Sequence, residues 1–160
     1  MPGKPLHVQQ QFHWIAPDMT HPILQLTYIS TRHPQMNPEE VDRILASSRR
    51  NNGRDRITGF LLFNGRRFLQ HLEGPPDIVQ ATFERISADP RHRAVVVLGR
   101  KHVDSRIFGK WAMAFERVDS PVPERRMSLV AQVEALVAGI DPRVGDHFIG
   151  YARLTTNKAA

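Results

Sequence analysis

Cysteine is absent from the 160 residues. That excludes a disulfide framework, a thiolate metal site and a cysteine nucleophile. No apolar run approaches the roughly 20 residues that a membrane span needs, so no membrane partner is expected. The opening stretch "MPGKPLHVQQQFHW" lacks the apolar core of a secretory signal, and a cytoplasmic location is the expectation. HExxH, GxSxG and a nucleotide-binding glycine-rich loop are all missing. The eight histidines do not supply a substitute. His33 and His92 read as loop residues, and His71 and His102 fall on strands at unrelated positions, so neither a metal site nor a small hydrolase is expected. Acidic residues number 16 against 22 Lys and Arg, a formal charge of +6. The excess sits in scattered pairs such as Arg49-Arg50, Arg66-Arg67 and Arg125-Arg126, and nothing resembles a basic tail. Net charge of this kind bears on solubility rather than on fold.

Among what is present, hydrophobic residues at 41% and charged residues at 24% suit one soluble, folded domain. Residues 1–22 carry Pro2, Pro5, Pro17 and Pro22 and read as an N-terminal arm. "ILQLTYIS" (23–30) reads as a strand. "NPEEVDRILASSRRNN" (37–52) reads as a helix, with Asn37 as cap, Pro38 in the first turn and Glu40 three residues after the cap. Val41, Ile44, Leu45 and Ser48 form its inward stripe. "ITGFLLF" (57–63) and "RRFLQHLE" (66–73) flank Asn64-Gly65, a strong hairpin signal. "PPDIVQATFERISAD" (75–89) gives a second helix, and "RAVVVLGRKH" (93–102) and "WAMAFERV" (111–118) give two more strands. The order βαββαββ predicts an α+β, ferredoxin-like sandwich: a five-stranded antiparallel or mixed sheet with two helices on one face. Residues 119–160 read as a C-terminal helical segment. Leu129, Val130, Val133, Leu136, Val137 and Ile140 stand at helical spacing there, and "DPRVGDHFIGYARL" is expected to add a short helix or an extended piece.

Gln70 is out of place in this pattern. In "RRFLQHLEG" it shares a strand face with Phe68 and Leu72. Burying an unpaired amide costs about 1–3 kcal/mol. Tyr28, on the same side of the first strand as Leu24, Leu26 and Ser30, could satisfy it. Asn51 and Asn52 close the first helix, ordinarily as a left-handed C-cap. Thr82, Arg85 and Asp89 align along one edge of the second helix, ordinarily as a solvated ion pair. Together with Ile44, these groups would suit a flat, hydrogen-bonding heteroaromatic ligand between the two helices.

The segments "LTYIS", "SRRNNGRDRITGFLLF", "RRFLQHLEG", "DPRHR" and "FGKWAMAF", in this order over about 24–118, resemble the BLUF family of blue-light sensors that use FAD. The resemblance implies that Tyr28 is the electron and proton donor to excited flavin. It implies that Gln70 links Tyr28 to flavin N5 and the C4 carbonyl, and that Asn52 holds the C4 carbonyl and N3 edge. It places Asn51 and Ile44 against the ring, Arg85 and Asp89 at the pyrimidine edge, and Arg91 and His92 at the outer part of the cofactor. Trp111, Met113 and Ser30 fall at signalling positions, and His71 should face away from flavin. The cofactor implied is FAD. The domain plan is then an arm (1–22), a flavin-binding domain (23–118) and a helical cap or output segment (119–160).

A photosensory switch without a turnover site follows from that resemblance. Its partner would be an effector protein acting in trans, since 40 residues leave no room for an output domain, and a homo-oligomer is expected. The apolar face of 127–140 is the candidate output surface, with permanent packing on the far side of the sheet the expected arrangement. The alternative is a ferredoxin-like nucleic-acid-binding module without photoactivity. Such modules stack bases on exposed sheet aromatics. The open side of the third strand would show Arg67, Leu69, His71 and Glu73, so that platform is missing and nucleic acid is not expected as a partner.

Overall fold

The computed structural model describes residues 22–108, 114–117, 123–138 and 140–157. The elements run β1 (Ile23–Arg32), α1 (Pro38–Arg54), β2 (Thr58–Phe63), β3 (Arg67–Gly74), α2 (Pro76–Ala88), β4 (His92–Val103), β5 (Ala114–Arg117), α3 (Pro123–Val137) and α4 (Pro142–Asn157). The sheet order is β4-β1-β3-β2-β5. All ladders are antiparallel except β2–β5, so the sheet is mixed, as the sequence allows. Each of α1 and α2 connects strands that another strand separates, the split arrangement of a ferredoxin-like fold.

Local signals explain the elements. Asn37 caps α1 with a complete capping box: its Oδ1 accepts from Glu40 N at 2.9 Å, and Glu40 Oε2 accepts from Asn37 N at 2.8 Å. In the β2–β3 hairpin, Gly65 adopts φ 85°, and Asn64 Oδ1 accepts from Arg67 N at 2.7 Å. The end of α1 departs from expectation. The helix runs through Asn51, Asn52 and Gly53 to Arg54, and the left-handed residue is Arg56 at φ 59°. The last turn is held from outside, because Asn52 O accepts from Ile57 N at 2.9 Å. That bond ties the helix end to the start of β2 and overrides the weak preference of Asn and Gly to stop it.

Two cores lie on the two sheet faces. Under α1 and α2, Leu24, Leu26, Tyr28, Leu61, Phe63, Phe68 and Leu72 meet Val41, Leu45 and Val79. On the far face, Phe60, Leu62 and Leu69 meet Phe108, Val133, Val137, Ile140, Phe148 and Ala152. The Phe60 ring lies 5.4 Å from Phe148 and 5.9 Å from Phe108. Each such buried side chain contributes roughly 1.5–3 kcal/mol.

The helical tail therefore packs on the sheet, and α4 is a full 16-residue helix rather than a short piece. The far face is not open: Leu69, His71 and Glu73 are buried, which removes the surface a nucleic-acid platform would need. Gly59 fits the β2–β3 pair because it has no side chain. A Cβ there would stand 1.9 Å from the His71 carbonyl oxygen.

Candidate functional site

Period-two alternation places Tyr28 and Gln70 on the α1/α2 face, and the β1–β3 register makes them direct partners. Both are buried. The Tyr28 hydroxyl donates to Gln70 Oε1, and the Tyr28 ring packs against Phe83 of α2 at 5.5 Å. Burial pushes the phenol far above its ordinary range, so it is a neutral donor at any physiological pH.

Above this pair the two helices do not close. Two adjoining chambers, about 150 and 190 Å³, share Ser48, Asn51, Gln70, Ile86 and Asp89. The first also reaches Tyr28, Ile44, Ser47, Leu61, Phe68, Arg91 and His92. The second reaches Asn52, Thr82 and Arg85. They are two ends of one slot between α1 and α2, with Tyr28 and Gln70 on its floor.

The slot exists because α1 is short of volume on this face. Ser47 and Ser48 stand where a core helix would place leucine. Ser48 belongs to the inward stripe that the helical spacing predicts, but neither it nor Ser47 is marked as a site residue by the sequence pattern. The signal was the small side chains between Ile44 and Asn51. Asn52 is 5% exposed, and neither its amide nor that of Asn51 bonds to another described residue. Two amides with free donors and acceptors, an apolar wall at Ile44 and Ile86, and a phenol–amide floor fit a planar ring with an imide edge.

The charged edge is wired differently from the simple helical reading. Arg85 donates to Thr82 Oγ1 at 3.2 Å and faces Asp55 at 3.7 Å. Asp89 lies past the end of α2 and pairs with Arg91, accepting from Nε at 2.9 Å and Nη2 at 2.6 Å. The expected Arg85–Asp89 pair gives way to these two because the chain turns at Asp89. The Arg91 guanidinium holds the Asp89 carboxyl below the usual range, against the opposing effect of burial.

His92, read as a loop residue, is the first residue of β4. Its Nδ1 lies 2.8 Å from Ser30 Oγ, and its ring packs on Phe68 at 5.0 Å. Burial, offset in part by Asp89, lowers its pKa. Ser30 and His92 are thus joined at one end of the slot. Trp111 and Met113 lie outside the described residues. Among the described residues no helix is long and apolar enough to cross a membrane, and no His, Asp and Glu group of metal-site size occurs.

Fold and slot define an α+β module with a ligand-sized slot whose floor is a hydrogen-bonded tyrosine–glutamine pair. The family model BLUF, described as sensors of blue-light using FAD, matches residues 23–114. The chain belongs to the BLUF family, a family of photosensory modules whose cofactor is FAD.

The blue light- and temperature-regulated antirepressor BluF of Escherichia coli K12 is 37% identical over 75 residues, covering 47% of this chain and 19% of that protein. Photoactivated adenylate cyclase subunit beta of Euglena longa is 33% identical over 101 residues, covering 60% of this chain and 11% of that protein. The chain thus spans a fifth or less of these relatives. The dark-state structure of the BLUF protein BlrB has TM-score 0.64 and 28% identity, over 84% of this chain and 98% of that one. Klebsiella pneumoniae BlrP1 with FMN and cyclic diGMP has TM-score 0.56 and 36% identity, over 60% of this chain and 26% of that one.

Proposed function

We propose that the slot between α1 and α2 holds FAD non-covalently and that Tyr28 and Gln70 form its light-operated switch. The observation that supports this most is the Tyr28–Gln70 hydrogen bond on the slot floor, beneath two amides that bond to no other described residue. Asn52 holds the imide edge of the ring, with Asn51 and Ile44 against its face. Arg85 and Asp89 meet the pyrimidine edge, and Arg91 and His92 the outer cofactor.

Bound FAD supplies blue-light absorption and, once excited, an electron acceptor. The protein supplies the rest. A phenol buried as deeply as Tyr28 is costly to ionise, so its proton leaves together with its electron. The Gln70 carbonyl oxygen, which already takes the hydroxyl hydrogen bond, would accept that proton, and electron and proton would both return to Tyr28 as the excited state decays, with no net redox change. An amide that then rotates or tautomerises exchanges donor and acceptor edges without backbone rupture. A Gln70 donor turned toward a carbonyl of the bound ring would lower its excited-state energy and shift absorption to the red.

Output runs from Ser30 and from Trp111 and Met113, which lie outside the described residues, to α3 and α4. Their packing on the far sheet face supports this. The receiver is a second protein, met by a homo-oligomer of this chain; regulators and cyclases among the relatives support an effector of that general kind.

The test is the absorption spectrum of purified protein in the dark and after blue illumination. A flavin spectrum that moves slightly to the red and relaxes in the dark supports the reading. A colourless protein that takes up no added flavin rejects it.

A further inference from the structure

The two residues of the floor pair have neighbours that pair with each other on the opposite face. Tyr28 stands opposite Gln70, Thr27 opposite His71, and Gln25 opposite Glu73. On the far face Thr27 Oγ1 lies 2.8 Å from His71 Nδ1. His71 is fully buried, and among the described residues its Nε2 has no hydrogen-bond partner. Glu73 Oε2 lies 3.8 Å from it, beyond hydrogen-bond distance. With Thr27 donating to Nδ1, the ring proton sits on Nε2 and faces the carboxylate; the other tautomer would aim a lone pair at it.

Glu73 is the anchor of the segment that leads toward β5. Its carboxylate accepts from Ile107 N at 2.9 Å and from Phe108 N. It also accepts from Gln25 Nε2 and Thr58 Oγ1, each at 3.2 Å. The Phe108 ring meets the His71 ring edge-on at 5.5 Å. Burial alone would raise the Glu73 carboxyl; the nearby imidazole and the two backbone N–H groups outweigh it and hold it below its ordinary value.

We infer that His71 is a positioning residue that passes a change at Gln70 through the sheet to Glu73 and the 106–108 segment. The inference rests on the photoreceptor reading of Tyr28 and Gln70. His71 shares a peptide unit with Gln70, so the strand adjustment that follows amide rearrangement moves the imidazole. A buried donor left unmade costs about 1–3 kcal/mol, which makes the present arrangement one of two. In the other, a shift of less than about 1 Å brings Nε2–H into bonding range of Glu73 Oε2. That oxygen then holds Ile107 N less firmly, and the segment loosens. The imidazole is the discrete two-position element that coupling between two sites requires.

The test uses the full chain with its flavin, labelled with ¹⁵N-histidine and ¹⁵N-amides, by NMR in the dark and under blue light. The His71 resonances are those lost in His71→Gln. Illumination should shift the His71 Nε2 resonance reversibly and raise Ile107 and Phe108 amide exchange by about threefold or more. In His71→Leu the flavin red shift should persist while the exchange response disappears. A full red shift with unmoved His71 and unchanged exchange overturns the relay alone, as does an exchange response that survives in His71→Leu. No red shift at all removes the photoreceptor reading and the relay with it.

Discussion

Tyr28 and Gln70 are direct partners in the β1–β3 ladder, and the Tyr28 hydroxyl donates to the Gln70 carbonyl oxygen. Both are buried beneath α1 and α2, on the floor of the slot between them. A buried amide is ordinarily a cost to be satisfied and forgotten. Here it is satisfied by a phenol on one side and borders a ligand-sized slot on the other, so its orientation decides what the slot meets. The expected consequences are local and separable.

Asn52→Ala should leave the fold intact and weaken flavin binding. The amide makes no bond to other described residues, so its loss falls on the ligand. One lost hydrogen bond to a buried ring edge corresponds to about 1–2 kcal/mol, or roughly 5- to 30-fold in Kd. Titration of stripped protein with FAD, followed by flavin fluorescence, measures it. An unchanged Kd would move the ring edge elsewhere.

Ser48→Leu should fill the slot. Ser48 borders both chambers, and a leucine adds apolar volume where helix and sheet are underpacked. The flavin-to-protein absorbance ratio of the purified variant should fall towards zero, while thermal stability of the stripped form holds or rises by about 1 kcal/mol. Full flavin loading in this variant would place the ligand outside the slot.

Stability should fall as pH drops below 6.5, through His92. Burial lowers its folded-state pKa from the ordinary histidine value of 6.5, so the unfolded chain takes up the proton first. The neutral form's contribution is complete above 6.5 and is lost as pH falls from there towards the lower folded value. The carboxylates Glu73 and Asp89 are also lowered, but from 4.5 and 3.8, so their loss comes at more acid pH. His92→Gln, which can still meet Ser30, should flatten the dependence of thermal stability on pH just below 6.5. The same slope in the variant would assign it to another group.

Gly59→Ala should be among the most damaging single-methyl changes in the chain. The added carbon would sit 1.9 Å from backbone rather than from a flexible side chain, so β2 and β3 must separate. A loss of about 3 kcal/mol or more, or failure to fold, is expected from chemical denaturation. A loss under about 1 kcal/mol would mean that the ladder is looser than its register implies.

Much of this was legible in the sequence, where the signal is local. Asn37 with Glu40, and Asn64 with Gly65, carry their own partners within three residues. Alternation placed Tyr28, Gln70 and His71 on the right faces. What stayed hidden depends on residues distant in the chain. The end of α1 is set by Ile57 bonding back to Asn52. Arg85 faces Asp55, and Asp89 pairs with Arg91 around a bend that helical spacing does not foresee. The full length of α4 was written in Asp141-Pro142, a cap followed by a first-turn proline, with Asp141 Oδ1 accepting from Arg143 N at 3.0 Å. The slot itself was the least visible feature, because an underpacked surface shows in a sequence only as small residues.

The central claim is that the Gln70 amide is the element that light rearranges. The direct measurement is the light-minus-dark absorption difference of the wild-type protein beside Gln70→Leu, both loaded equally with FAD. The wild type should show a reversible red shift, and Gln70→Leu should bind flavin and show none. A full red shift in Gln70→Leu would contradict the account.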